Sequence, residues 1–359
     1  MFSRAARVAG VASIVLGSTA VVAKQPSLVD EVKDSIQHRT QAVQLPDVKI
    51  RKKVSSSVDT SGLQLRLYQY QTCPFCSKVR TVLDYYGFAY ELVEVNPVTR
   101  KQVKFTPYTK VPILIVQSQQ NKELHDSPLI VSLLRSYLLH PEQSLSDLET
   151  FYEPTLTVPD PKKPKKTVQK VPNRYFLMAG DDITEEEIDA LSVEREWREW
   201  ADAELVHVLS PNIYRSWDEA VQAFRWFSQV GDWEQQFPDW ERAMVIYVGA
   251  AAMYVIGRRL KKRHNLKPDV RESLYDSCKK FLKAKGSKKF LGGDKPNLAD
   301  LEIYAMLTAI EGCVAFQDLL ENVRIGPWFE AMRAEVQQRN GSLQLAKRLK
   351  MAQLYQQSK

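Results

Sequence analysis

Cysteine is scarce in this chain: four in 359 residues, two of them three positions apart and two isolated. That excludes the dense, evenly spaced thiols of a disulfide-stapled secreted scaffold and points to a reducing compartment for the folded part. A second cysteine pair and a close histidine pair are also lacking. A structural zinc site takes four such ligands, so zinc is set aside for the one pair present. The net charge of +7 is spread over an N-terminal segment, a linker and one helix end. It is not gathered beside aromatic residues in a base-stacking pattern, so no nucleic-acid partner is expected. Long apolar runs are few. Val8 to Ala23 carries no charge, but it falls short of the about 20 apolar residues that a full span needs. With Arg4 and Arg7 ahead of it, it reads as a signal or organelle-targeting segment or a short membrane anchor. Met244 to Ile256 is apolar too, yet short and followed by a cationic cluster, and it reads as a buried core helix. Internal repeats are absent.

What is present divides the chain into 1–60, a targeting or anchor segment and tether; 61–140, a small mixed domain; 141–180, a linker or insertion; and 181–359, an all-helical domain. The stretch from about 25 to 60 is polar and ends in Ser55-Ser56-Ser57, without sustained periodicity. In Leu63-Gln64-Leu65-Arg66-Leu67 apolar and polar residues alternate, which places three leucines on one face of a strand. Val79, Val82, Leu83 and Tyr86 then recur at helical spacing, Lys78 and Arg80 fall elsewhere on the wheel, and Gly87 stops the helix. Strands follow at Tyr90 to Val95, Ile113 to Val116 and near Leu124, and Leu129 to Leu138 marks an amphipathic helix. Strand, helix, strand, then strand, strand, helix is the thioredoxin-like order.

In the linker, the run from Pro159 to Lys166 combines proline with repelling lysines, which disfavours compact packing. Beyond it the pattern is helical: a capping box at Thr184 and Glu187, then runs at about 217–230, 239–264, 268–285, 298–320 and 327–339. Asn297 and Asp300 form a second cap, a folding device rather than a catalytic one.

The chemistry centres on Thr72-Cys73-Pro74-Phe75-Cys76. A free thiol, with a pKa of about 8.5, is mostly protonated at neutral pH, and only the thiolate reacts. Cys73 stands at a strand-to-helix junction with Pro74 in the first turn, so orphan amides and the positive end of the helix dipole face its sulfur. Cys76, about one turn on and more buried, suits a resolving or supporting role. Tyr70 either lends its hydroxyl to the thiolate or a substrate oxygen, or only packs the loop. Val111-Pro112 ahead of a strand suggests a cis bond that presents a backbone edge to a ligand. Asp126-Ser127 before a helix either holds the ends of a peptide-like thiol or is a plain cap.

Leu67 to Arg80, Val93-Glu94-Val95-Asn96-Pro97 and Lys110 to Leu114 resemble the membrane-associated prostaglandin E synthase type 2 family. The likeness continues through Trp197 to Asp202, Ser210 to Arg215, Gly249 to Tyr254 and Lys295 to Asp300, and covers about 63–335. It implies a glutaredoxin-type thioredoxin fold followed by a glutathione-transferase-like helical domain. It also implies bound glutathione and isomerisation of the endoperoxide prostaglandin H2 to prostaglandin E2. Carried over, Cys73 matches the catalytic cysteine, Tyr70 its hydrogen-bonding partner and Cys76 the second cysteine. Val111, Pro112, Asp126 and Ser127 fall at the glutathione contacts. Haem is a further ligand of the family, which would place His264 near its propionates; a cationic helix end is the plain alternative. The expected partners are a lipid endoperoxide and a membrane, Golgi or mitochondrial, reached through the N-terminal segment, with a homodimer left open. Two other functions fit the residues: a glutathione-dependent thiol-disulfide oxidoreductase, favoured by the paired cysteines, and a glutathione or haem binder without turnover. The Lys- and Pro-rich linker and the tail to Lys359 depart from the family pattern.

Overall fold

The computed structural model describes residues 44–152, 156–160, 163–180 and 183–357, with the backbone alone at 156–160 and 163–170. The expected targeting segment lies outside the described residues. Five strands form one sheet in the order β1-β3-β2-β4-β5: β1 Lys52–Val54, β2 Leu65–Gln69, β3 Tyr90–Glu94, β4 Ile113–Val116 and β5 Lys122–His125. β2 and β3 run parallel, joined by helix α1 (Pro74–Tyr86), because parallel neighbours need a crossover. β4 and β5 add antiparallel, and α2 (Ser127–Leu139) returns over the sheet.

Alternation decides which side chain meets which face. Leu65, Leu67, Leu92, Leu114 and Val116 point into the large core shared with α1 and α2, while Tyr68, Val93, Ile113 and Ile115 form a smaller core opposite. Leu45, Val48 and Ile50 pack against that smaller core. The reading of 25–60 as a tether therefore needs correcting over its described end. Lys52 to Val54 pairs with β3, and the few apolar residues before it cover a sheet face that would otherwise be wet. Gly87 ends α1 at φ 74, the left-handed position that a residue with a Cβ disfavours.

The insertion is more ordered than its composition suggested. A short helix, α3 (Leu145–Glu149), precedes an antiparallel hairpin of β6 (Leu156–Asp160) and β7 (Lys163–Lys170). The register shifts between Pro159 and Asp160, the kind of irregularity that lets a strand tolerate proline.

The rest is helical. α4 (Glu185–Trp200) starts in the Thr184/Glu187 capping box and runs through a π turn, Ala201–Leu205, into α5 (Val206–Ile213). Then come α6 (Trp217–Val230), α7 (Trp233–Gln236), α8 (Asp239–Arg263), α9 (Val270–Lys285) and α10 (Leu298–Thr308). α11 (Val314–Asn322), α12 (Gly326–Gln337) and α13 (Ser342–Gln357) complete the chain. The single run expected at 298–320 is two helices, α10 and α11, and the tail is a helix of its own. α10 opens with the Asn297/Asp300 capping box and packs along α1, joining the two halves.

α8 corrects the expectation of a buried core helix. It rests on α5 and α6 along one side, where Val245, Ala250 and Gly257 are buried. Its opposite side stays open, with Trp240 68% and Val248 61% exposed. Among the described residues it is the one helix long and apolar enough to cross a bilayer, and only 17% of its most apolar window is buried.

Candidate functional site

Cys73 is the N-cap of α1, in extended conformation with φ −77 and ψ 122, and Pro74 occupies the first helical position, where no amide is needed. All four cysteines are free thiols; Cys73 is half-buried, whereas Cys76, Cys278 and Cys313 are buried. The Cys73 thiol is lowered from its ordinary value. Its first cause is a hydrogen bond from the Cys76 thiol, and the amides of Cys76 and Phe75 and the charge of Arg80 add to it against the cost of burial. Cys76 moves the opposite way, held well above the ordinary value by burial first and then by its tie to Cys73. The two sulfurs are thus polarised into an acceptor and a donor.

Tyr70 and Cys73 share a turn, the Cys73 amide donating to the Tyr70 carbonyl at 3.1 Å. The Tyr70 hydroxyl accepts from Arg100 Nη1 at 2.7 Å. Burial pushes the phenol pKa up, Arg100 counters, and charge on Cys76 and Cys73 adds to the rise. With its lone pair engaged by a guanidinium, the hydroxyl keeps its own proton to donate.

Behind the cysteine loop lies a polar lattice. Glu94 is buried and accepts from the Gln71 amide at 2.7 Å and from Gln69 Nε2 at 3.2 Å, with Arg51 at 3.5 Å. Burial dominates there and lifts the Glu94 pKa to about 7. Arg80 donates to Gln69 Oε1, to the Gln71 carbonyl at 3.1 Å and to Ser77 Oγ at 3.3 Å, which fixes the loop that carries Cys73.

The Val111-Pro112 bond is cis and opens into β4. Asp126 precedes α2 at φ 68, and its side chain makes no cap bond. The carboxylate instead accepts from Arg174 Nη1 at 2.9 Å, which disposes of the plain-cap reading, while Ser127 is buried at the helix start. Arg174 also donates to the Tyr175 hydroxyl, which donates to Asp202 at 2.8 Å. Asp202 and Glu302 of the helical half clamp Lys78 of α1, at 2.8 and 2.7 Å, and Glu302 also holds Arg198 at 2.8 Å. Lys78 was expected off the buried face of its helix; it is wholly buried, because that side of α1 meets carboxylates rather than water.

His264 caps the C-terminus of α8, and its ring stacks on His207 with centroids 3.9 Å apart. Lys261, Lys262 and Arg263 make the last turn of that helix cationic.

Tyr70 and Cys73 therefore share one loop and Cys76 the first turn of the helix it leads into, with the cis Val111-Pro112 bond and Asp126-Ser127 on other segments of the same sheet domain, and His264 stands on the helical half. Arg100, Arg80, Glu94, Arg174 and Asp202 were missed. Their signal is weak: each is a single charge on a strand, loop or helix whose partners are brought to it by the fold.

The family described as Glutathione S-transferase, N-terminal domain, matches residues 67–137. Over 297 residues the chain is 42% identical to prostaglandin E synthase 2 of Mus musculus, covering 81% of this chain and 75% of that protein. Over 287 residues it is 39% identical to prostaglandin E synthase 2 of Danio rerio, covering 79% and 74%. Among solved structures, glutathione S-transferase I from Mais, in complex with an atrazine glutathione conjugate, is 13% identical with a TM-score of 0.42, covering 80% of this chain and 98% of that one.

Proposed function

This chain belongs to the prostaglandin E synthase 2 family, and from that membership we propose that it isomerises prostaglandin H2 to prostaglandin E2 at Cys73 with glutathione bound beside it. The observation that carries the reading is the 42% identity to a named prostaglandin E synthase 2, spread over both halves of the chain. The site chemistry agrees with it. An endoperoxide has a weak O–O bond, and a thiolate is the nucleophile that attacks such an oxygen.

The steps balance without an outside oxidant. The Cys73 thiolate forms an S–O bond to one peroxide oxygen, the O–O bond breaks, and the released alkoxide takes a proton from the Tyr70 hydroxyl. The Tyr70 tyrosinate then takes the proton from the carbon bearing the sulfur-bound oxygen, which forms the ketone, breaks the S–O bond and returns both the thiolate and the phenol. Arg100 stabilises the tyrosinate formed in between. Val111 and Pro112, with Asp126, Ser127 and Arg174, are assigned to glutathione, an anionic peptide whose ends suit a helix start and a guanidinium. For haem, the stacked imidazoles of His207 and His264 and the cations Lys261, Lys262 and Arg263 fit a dicarboxylate. Bound there it would supply one-electron chemistry.

A second reading has one observation in its favour. Cys76 follows Cys73 by three residues in the first turn of α1, its thiol held high while that of Cys73 is lowered, the pairing a thiol-disulfide oxidoreductase uses to resolve a mixed disulfide. One experiment separates the two. Purified protein is incubated with prostaglandin H2 and, separately, with a glutathione mixed disulfide, as wild type, Cys73→Ser and Cys76→Ser. The isomerase reading requires prostaglandin E2 above the spontaneous yield, lost in Cys73→Ser and kept in Cys76→Ser. Disulfide reduction lost in both variants, without prostaglandin E2, would establish the alternative.

A further inference from the structure

A cavity of about 370 Å³ lies beside β1, and neither Cys73, Tyr70 nor Asp126 lines it. Four cations face it, Arg51, Lys52, Arg80 and Arg339, against one carboxylate, Asp84. Asp84 is a weak counter-charge: it accepts from the Tyr90 hydroxyl at 2.9 Å, and burial raises its pKa. Arg80 donates only to neutral oxygens, and Arg339 only to the Ser55 carbonyl at 2.9 Å. Arg51 is engaged at every nitrogen: Nε and Nη2 meet Asp232, Nη2 also donates to the Val230 carbonyl at 2.6 Å, and Nη1 donates to Gln71 Oε1 at 2.6 Å with Glu94 at 3.5 Å. Val54, Leu92 and Val336 supply an apolar wall.

We propose that this cavity binds a small phosphate-bearing molecule, its oxyanion held by Arg80 and Arg339, and that its occupancy restrains Cys73. A phosphate suits the cavity better than a single carboxylate because two guanidiniums need several acceptor oxygens and more than one negative charge. The volume is that of a small-molecule site.

The route to Cys73 is short. Arg80 holds the Gln71 carbonyl, two residues before the sulfur, and its positive charge is among the influences that keep the Cys73 thiol low. An anion on Arg80 cancels part of that charge and shifts Cys73 toward the unreactive thiol. By reciprocity, converting Cys73 to a neutral adduct tightens the anion. The regulatory half rests on Cys73 being the reacting sulfur; the binding half does not.

The test uses the full chain and inorganic pyrophosphate at constant ionic strength. Calorimetry measures binding, and mass spectrometry follows the rate of iodoacetamide alkylation at Cys73. One saturable site is expected, weakened about tenfold in Arg339→Gln by loss of one charge-assisted contact, with Cys73 alkylation slowed several-fold at saturation. Absence of saturable binding to the wild type, or equal affinity in Arg339→Gln, overturns the site. Binding with an unchanged alkylation rate overturns the regulation. Prostaglandin formation enters neither readout, so failure here is distinct from failure of the proposed reaction.

Discussion

Arg100 donates to the hydroxyl of Tyr70 at 2.7 Å, from a backbone position with φ 50, in the left-handed region that non-glycine residues seldom adopt. The loop after β3 thus brings a cation thirty positions distant onto the phenol beside the cysteine turn.

If that pair delivers the proton to the opened peroxide, Arg100→Gln should lower kcat for prostaglandin E2 formation about tenfold, the scale of one donor in a charge-stabilising site, with KM little changed. Steady-state kinetics with product quantified by mass spectrometry checks the split. A change in KM alone would mean that Arg100 binds substrate rather than serving the transfer.

Lys78 is wholly buried between Asp202 and Glu302. Removing one member of such a set leaves charge uncompensated, so Lys78→Met should cost about 3 kcal/mol of folding stability. Urea unfolding measures it. A loss within about 0.5 kcal/mol, typical of an exposed surface site, would contradict the buried clamp between the two halves.

Glu94 has a folded-state pKa of about 7 against an ordinary 4.5. The folded chain therefore holds more protons than the unfolded one between these values. Its contribution to stability is fully present below the ordinary value and is lost as pH rises through the folded one. Wild type should accordingly lose stability over that window, and Glu94→Gln should lose less. Urea midpoints at each end of the window test the sign, and equal slopes in both proteins would contradict it.

Asp126 is tied to Arg174 instead of capping its helix. Breaking that tie with Asp126→Asn should weaken glutathione binding about tenfold, as expected for a lost charge-assisted contact, with thermal stability nearly unchanged. Calorimetric titration with glutathione reads the first and a melting scan the second. Unaltered glutathione affinity would remove Asp126 from the site.

Much of the fold could be read in the sequence because it rests on local signals. Alternation in β2, the spacing of Val79, Val82 and Leu83 in α1, the stop at Gly87 and the two capping boxes are short-range devices, and each appears where its residues stand. The cysteine turn and the cis Val111-Pro112 bond were legible for the same reason. What escaped depends on partners distant in the chain. β1 is the triplet Lys52-Lys53-Val54, too short to show a period, and becomes a strand because β3 leaves an edge to pair with. Lys78 looks like a solvated charge until Asp202 and Glu302 close over it. α8 has a core composition but meets its neighbours along one side alone.

Cys73 is ionised more readily than an ordinary thiol because Cys76 and the start of α1 stabilise its charge. The most direct measurement is the pH dependence of iodoacetamide alkylation at Cys73, resolved by mass spectrometry, in wild type and in Cys76→Ala. The midpoint is expected below that of a free cysteine in the wild type and higher in Cys76→Ala. A wild-type midpoint at or above the free value, or faster alkylation at Cys76 than at Cys73, would contradict it.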